Sequence, residues 1–402
     1  MENEQREQLN EIEDRGTSRR YYFAQLVKYL NLLIFYFKTF HFSQLSPKKN
    51  EDIRFKATAF LAIYLSIMEK RSIHWVLVNV IQRIGSIHNQ DFARKLRQAK
   101  TATLSMLLES YPTLEQLSIK NAHPLFIIEK LNTTIPAVEV ERILQAHNAQ
   151  KYLYARITGP DIDPIQVRKS LGQIGVPIKR VTNLPFAFQL WRRNIKKIVK
   201  SPLYQRGDII LQDLASMYAC VAMDPQPGDR ILDACAAPLM KTSLLQFLSH
   251  GQSITLSVEL SPARLQNSLK SPRSLVRFPL LIADSTTLPF RSPEQGELFD
   301  KVLLDAPCTS SGAIYYSPEM KWRQTAEYLR SHVVLQQKLL QECLNYVKPG
   351  GILVYAVCSY YKEEGEDVIT GASDRTKIVS TRRFYPHVDK CQGFFIAKLQ
   401  KL

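Results

Sequence analysis

The chain of 402 residues reads as an α/β protein. Its second half is a parallel sheet of βαβ units, preceded by a small α+β module and an all-α N-terminal domain. Three observations predict this. Beyond residue 205, short apolar runs alternate with amphipathic helical stretches, the pattern of right-handed βαβ units. Over residues 19–110, apolar side chains recur every three or four positions, as on one face of a helix. Between these regions, shorter helix-like and strand-like pieces are punctuated by glycine and proline. The pattern predicts domains at residues 1–110, 111–204 and 205–402.

The helical spacing is carried by Phe23, Leu26, Val27, Leu30 and Leu33, and again by Phe60, Leu61, Tyr64, Leu65 and Met68. Ser46-Pro47-Lys48-Lys49-Asn50 marks a break between the two sets. The most apolar run, Tyr29 to Phe37, is flanked by Lys28 and Lys38. It falls short of the roughly 20 residues that span a bilayer, so it predicts a buried helix and no membrane partner. Arg71, Arg94, Lys95, Arg97 and Lys100 suit either an RNA contact or a solvated face.

In the module, helix-like stretches near 124–131 and 136–148 precede a strand from Tyr152 to Ile157. A helix from Pro164 to Leu171 and a second strand from Val176 to Val181 follow. The module ends in Arg192-Arg193-Asn194-Ile195-Lys196-Lys197-Ile198-Val199-Lys200, between Trp191 and Tyr204. Such a run can track a phosphate backbone while an aromatic ring stacks on a base, or it is a solvated basic loop.

Charge agrees with a nucleic-acid partner. There are 53 Lys plus Arg against 37 Asp plus Glu, a formal charge of +16, which favours a polyanion. The six cysteines (220, 235, 308, 343, 358 and 391) form no Cys-x-x-Cys pair and have no histidine cluster at zinc spacing. The reading is therefore no metal site. Free thiols fit a reducing compartment, the cytoplasm. The opening residues Met1-Glu2-Asn3-Glu4-Gln5 are polar and acidic, unlike a secretory signal.

In the second half, strands are predicted at Arg230–Asp233, Ser253–Glu259, Leu280–Asp284, Lys301–Asp305 and Ile352–Val357. Helices are predicted at Lys241–Ser249, Pro262–Leu269 and Glu327–Val347. Ligands of such sheets bind at the carboxyl ends of the strands. Asp233, Glu259, Asp284, Asp305 and Cys358 all fall at or just beyond those ends, which predicts one shared site. Any single carboxylate there also suits a helix cap. An acidic residue ending the second strand, Glu259, suits ribose hydroxyls. Two thiol segments stand at successive strand ends, Asp305-Ala306-Pro307-Cys308-Thr309-Ser310-Ser311-Gly312 and Tyr355-Ala356-Val357-Cys358-Ser359. Upstream lies Cys235-Ala236-Ala237-Pro238-Leu239-Met240-Lys241-Thr242, a strand-turn-helix segment able to hold a nucleotide-like cofactor. Together they point to cysteine chemistry beside a bound cofactor.

These segments, with Gly207 to Ser216, Lys321-Trp322, Gly350 to Tyr355 and Gly393 to Ala397, make the chain resemble the RNA (cytosine-5) methyltransferases. That family includes the bacterial 16S rRNA m5C methyltransferases and the NOL1/NOP2/Sun proteins. The resemblance runs from about His123-Pro124 to the end. The helical N-terminus resembles, more weakly, a NusB-like RNA-binding domain. The resemblance implies a Rossmann-like, S-adenosylmethionine-dependent domain acting on RNA as a monomer. It implies that Cys358 is the nucleophile on C6 of the base and that Cys308 assists release. Asp305 would hold N3 and N4 of the base, and Lys241 would orient it and lower the thiol pKa. The cofactor would be held by Cys235, Ala236, Ala237, Pro238, Leu239, Met240 and Lys241 at its methionine end. Glu259 would take its ribose and Asp284 its adenine region, with Asp305 also lining the site. Cys235 and His387 read as structural.

The chain departs from the family in three places. Leu239 and Met240 stand where the family loop has two glycines. If a positive φ is required there, side chains strain the turn by about 1–3 kcal/mol. Val357 stands for a threonine, and the segment between Glu366 and Arg383 is short enough to predict a trimmed late strand. The loop change sustains a second reading, a weak or inactive homologue serving as an RNA-binding ribosome-assembly factor.

Overall fold

The computed structural model describes residues 15–46, 53–82, 89–269, 279–291 and 298–402. The expected break at Pro47–Asn50 and the acidic first residues lie outside them. The chain folds as two compact units, Met1–Asn148 and Ala149–Leu402. The sequence pattern divides at 110/111 and 204/205. By packing, the helices up to Asn148 belong to the first unit, and the strands from Tyr152 belong to the second.

The first unit is helical. Its longer helices are α1 (Arg15–Thr39), α2 (Ile53–Ile67), α3 (Asn89–Thr101), α4 (Thr113–Lys120), α5 (Leu125–Asn132) and α6 (Ala137–Asn148). Leu33, Tyr64 and Leu65 of the predicted stripes join Phe37, Phe42, Phe55, Ile63, Phe92 and Leu96 in one core, whereas Phe23 and Met68 are exposed. Two buried imidazoles, His123 and His147, are hydrogen-bonded at 3.0 Å, and His123 also pairs with the Asn121 carbonyl.

The second unit holds two sheets. A four-stranded antiparallel sheet is built from β1 (Tyr152–Ile157), β2 (Ile178–Val181), β3 (Leu184–Trp191) and β4 (Ile209–Leu211), in the order β2-β3-β1-β4. Helix α7 (Pro164–Gln173) starts as predicted, with Asp163 capping the Ile165 N–H and proline in the first turn. The sequence reading missed β3, although its Phe186, Phe188 and Leu190 alternate toward the core. The sheet shares that core with the second one: Tyr154, Phe188, Leu214, Met217, Leu244 and Phe394 pack together.

The second sheet has seven strands in the order β10-β11-β9-β8-β5-β6-β7. They are β5 (Arg230–Asp233), β6 (Ile254–Glu259), β7 (Leu280–Ile282), β8 (Phe299–Asp305), β9 (Val347–Val357), β10 (Thr376–Phe384) and β11 (Phe394–Lys401). Strands β5 to β9 run parallel, and β11 and β10 close the sheet antiparallel. The helices are α8 (Leu214–Met223), α9 (Met240–Leu248), α10 (Pro262–Leu269) and α11 (Ala326–Asn345). This is a Rossmann-like α/β fold, as expected. The late strand is not trimmed, which corrects the sequence reading. β10 is nine residues long and pairs with β11 along its length. Its mostly exposed side chains give it no apolar signal in the sequence. Among the described residues, no helix is long and apolar enough to cross a membrane.

One buried charge ties the two sheets together. Arg156 on β1 donates to Gln212 Oε1 (2.6 Å), the Ile157 carbonyl (3.1 Å), the Met240 carbonyl (3.1 Å) and the Ser243 hydroxyl. Burial lowers its pKa to about 10. The guanidinium thus fastens β1 to the first turn of α9. Arg156→Ala leaves those acceptors short of donors and opens a cavity, and is expected to cost about 3–5 kcal/mol. The shift of the urea unfolding midpoint measures it. A loss below about 1 kcal/mol would mean that water replaces the guanidinium.

Candidate active site

The strand order creates the site. From β5 the chain steps outward to β6 and β7, then returns to β8 on the other side of β5. The helix after β5 and the segment after β8 therefore leave in opposite directions and open a crevice at the strand ends. Asp233 and Glu259 end their strands, Asp305 ends β8, Cys358 follows β9 directly, and Asp284 lies two residues past β7. The five strand-end residues singled out in the sequence thus line one edge of one sheet.

Within the crevice, the Lys241 ammonium is ion-paired to Asp305 Oδ2. Burial alone would lower the lysine pKa, but the Asp305 carboxylate holds it above its ordinary value. Behind it, Asp233 is fully buried and accepts from Thr242 Oγ1 at 2.7 Å. Burial raises this carboxyl to about 6. Its second oxygen, Oδ1, has no hydrogen-bond partner.

Glu259 faces the loop between β5 and α9. It accepts from the Ala237 N–H (3.1 Å), the Ser261 N–H (2.9 Å) and Arg264 Nη1 (3.3 Å). Asp284 is exposed and caps its own turn through Thr286, whose N–H and hydroxyl lower its pKa. Cys235 packs into the core, and burial drives its thiol pKa well up. The set suits a nucleoside cofactor. A strand-end carboxylate stands opposite a loop amide, and the buried Asp233 oxygen still lacks a donor.

Leu239 occupies the first glycine position of that loop. It holds φ +69°, the left-handed conformation that favours glycine, and precedes the first residue of α9. Its side chain is only 1% exposed and packs with Ala236, Leu265 and Leu280. The turn therefore keeps the glycine conformation, and the leucine turns into the protein.

The two thiols are adjacent. Cys308 Sγ and Cys358 Sγ lie 3.3 Å apart, and both cysteines are free. They differ in environment. The Cys358 thiol is held below its ordinary pKa, first by the hydrogen bond from Cys308. The Ser310 hydroxyl and the Lys241 charge add to this, while burial and Asp305 oppose it. Cys308 is pushed well up by its hydrogen bond with Cys358 and by burial, with the Glu364 charge acting in the same direction. Their environments thus push the two thiols in opposite directions, Cys358 down and Cys308 up.

The loops carrying them are fixed by Gly312 and Gly393, both inside the sequence motifs, and by charged residues outside them. Gly312 N–H donates to the Cys358 carbonyl at 3.0 Å, and Gly393 N–H to the Gly312 carbonyl at 3.2 Å. A Cβ on Gly312 would sit 1.9 Å from the Gly393 oxygen, so only glycine fits. Arg383 on β10 donates to the carbonyls of Ser359 (3.3 Å), Tyr360 (3.1 Å) and Tyr361 (3.3 Å) while ion-paired to Glu366. Arg156 interrupts an apolar strand, and that charge was a readable signal. Glu364 and Arg383 sit among other charges and carried none.

The sheet order and the crevice at its strand ends are those of a Rossmann-like domain. Residues 220–400 match the family model described as 16S rRNA methyltransferase RsmB/F. It is 28% identical over 298 residues to the ribosomal RNA small subunit methyltransferase B of Pasteurella multocida, covering 70% of this chain and 65% of that protein. It is 28% identical over 317 residues to the 28S rRNA (cytosine(4447)-C(5))-methyltransferase of Homo sapiens, covering 71% and 39%. A solved methyltransferase homologue protein from Pyrococcus horikoshii is 29% identical with a TM-score of 0.62, covering 72% of this chain and 99% of that one. The chain spans just under two thirds of the length of the Pasteurella relative.

Two outcomes follow from the geometry. In Cys308→Ala, Cys358 loses the bond that lowers its pKa, and burial and Asp305 remain. The pH profile of its alkylation by iodoacetamide should then move to higher pH, with a slower rate at neutral pH. An unmoved profile would assign the acidity to Lys241 instead. Leu239→Gly relieves about 1–2 kcal/mol of left-handed strain but removes a buried side chain contributing about 2–3 kcal/mol. Burial wins, so a net loss of about 1 kcal/mol is expected in urea titration, and a stabilised variant would reverse that order.

Proposed function

We propose that this chain methylates C5 of a cytidine in RNA, ribosomal RNA before transfer RNA, with S-adenosylmethionine as methyl donor. The observation that carries the proposal is the pair of free thiols, Cys358 and Cys308, 3.3 Å apart in the crevice of the Lys241–Asp305 pair. C5 of cytosine is a weak nucleophile. Addition of the Cys358 thiolate to C6 consumes the C5–C6 double bond and pushes an electron pair toward N3, making C5 enamine-like. Asp305, carrying a proton when the base is bound, donates it to N3 as the negative charge arrives there and accepts from the N4 amino group, while Lys241 orients the base. Loop residues 235–241, Glu259 and Asp284 hold the cofactor, which, when bound, supplies the methyl group to C5. Release requires loss of the C5 proton and departure of the Cys358 sulfur, and Cys308 lies beside that sulfur to assist. Because C6 must be reached from its face, the cytidine is single-stranded or flipped out. The strand module with its basic run from Arg192 to Lys200 and the helical N-terminal region serve RNA binding, in the cytoplasm or, in a nucleated cell, the nucleolus.

The test traps the adduct. Cys308→Ala, incubated with cellular RNA and S-adenosylmethionine, should give a slow-migrating, nuclease-sensitive band on a denaturing gel. The band should be absent from Cys308→Ala/Cys358→Ala, and sequencing the attached RNA would name the cytidine. No band, with RNA bound but no cofactor bound, would favour the assembly-factor reading. The observation behind that second reading is Leu239 and Met240 in the cofactor loop.

A further inference from the structure

A buried carboxylate that this chemistry leaves unused stands directly behind the two sulfurs. Glu364 is fully buried in the turn following Cys358. Its Oε2 accepts from Thr309 Oγ1 at 2.6 Å and from Ser359 Oγ at 2.5 Å. Its Oε1 accepts from the Thr309 N–H at 2.8 Å and from Gln336 Nε2 at 3.0 Å. Thr309 follows Cys308 and Ser359 follows Cys358, so a single oxygen bridges the residue after each thiol. Gln336, on α11, also donates to the carbonyl of Pro307, the residue before Cys308. The Glu364 carbonyl accepts from Tyr355 OH at 2.6 Å, which fastens the turn to β9.

We propose that Glu364 is the positioning residue of the thiol pair: its carboxylate sets the spacing of Cys308 and Cys358 and decides which sulfur keeps the proton. The argument rests on the cysteine chemistry proposed above and adds a residue to it. Every group around the carboxylate is a donor, so the site is built for a charged acceptor. A buried charge costs far more than a bridging contact returns unless it is fully bonded, so a neutral glutamine would hold two loops at lower cost. The charge therefore has a use beyond cross-linking. It is placed unequally: two of its four bonds go to Thr309, beside Cys308, and one goes to Ser359, beside Cys358. A negative charge on the Cys308 side disfavours a Cys308 thiolate, and the Glu364 charge raises that thiol. Cys308 then stays the donor and Cys358 the acceptor of the bond between them.

Two variants separate spacing from charge. In Glu364→Gln the amide nitrogen can donate to Thr309 Oγ1 and Ser359 Oγ after their hydroxyls rotate, so the bridge persists and the charge is lost. In Glu364→Ala both go. The readout is thiolate ultraviolet absorbance against pH, taken as the difference from a Cys308→Ser/Cys358→Ser form of the same variant, with circular dichroism confirming the fold. In a Cys358→Ser background, Glu364→Gln should move the Cys308 titration down by about one unit, a tenfold gain in thiolate at a given pH. In a Cys308-containing chain, Glu364→Ala should move Cys358 up, toward its position in Cys308→Ala. An unmoved Cys308 titration in the folded Glu364→Gln variant would overturn the charge role, and an unmoved Cys358 titration in Glu364→Ala would overturn the spacing role. Neither readout needs RNA or cofactor. Shifted titrations without an RNA adduct would retain Glu364 and remove the methyl-transfer reading, and an adduct with unshifted titrations would do the reverse.

Discussion

The return of the chain from β7 to β8 across β5 is the constraint on which the site depends. A sheet that kept stepping outward would carry its connections past one edge and leave no crevice. The reversal separates the segments that follow β5 and β8, and the strand ends between them cannot be covered by either. Lys241 from the first segment and Asp305 from the second then meet as an ion pair. The pairing answers an electrostatic need. Asp233, Asp305 and Lys241 are brought together in a poorly solvated space, and an unpaired charge there would be costly. Asp233 carries part of that cost as a carboxyl raised to about 6.

The same physics decides between two chemically identical cysteines. Both sulfurs are withdrawn from water, which by itself would keep both protonated. Their contact at 3.3 Å lets one act as donor and the other as acceptor, so the pair divides into unequal partners. The cation in the crevice, Lys241, lowers Cys358 less than the neighbouring thiol does, and Asp305 acts against it. Lys241 is better placed to steer the carboxylate than to activate the nucleophile.

The thiol loops are held from the far side of the sheet, by the last strands of the chain. Gly393 lies just before β11; a side chain on Gly312 would strike its backbone, and one on Gly393 would strike the Tyr360 ring. Arg383, from β10, collects three successive carbonyls of the Cys358 loop. Residues that follow Cys358 by 25 positions or more therefore set its surroundings. The cofactor loop shows the opposite tolerance: Leu239 keeps a glycine-like φ because the apolar contacts of its side chain outweigh the backbone strain.

Local pattern determined much of this protein. The period-two and period-3.6 apolar spacings were enough to place β5, β6, β8, α9, α10 and α11, and with them the acidic residues at strand ends, because in parallel sheets that end is where ligands bind. The order of Cys235, Asp305, Cys308 and Cys358 was legible for the same reason. What the spacing did not carry were elements whose side chains report little: β10, mostly exposed on the sheet edge, and β3, hidden behind a proline and a basic run. Nor did it mark Glu364 or Arg383 as structural, since a charged residue among other charges looks the same in one dimension whether solvated or enclosed. Only the tertiary structure decided that Glu364 is buried among donors, that Leu239 turns inward, and that the two thiols meet at 3.3 Å. Those outcomes depend on which groups from distant segments face one another, and on how little water is left between them.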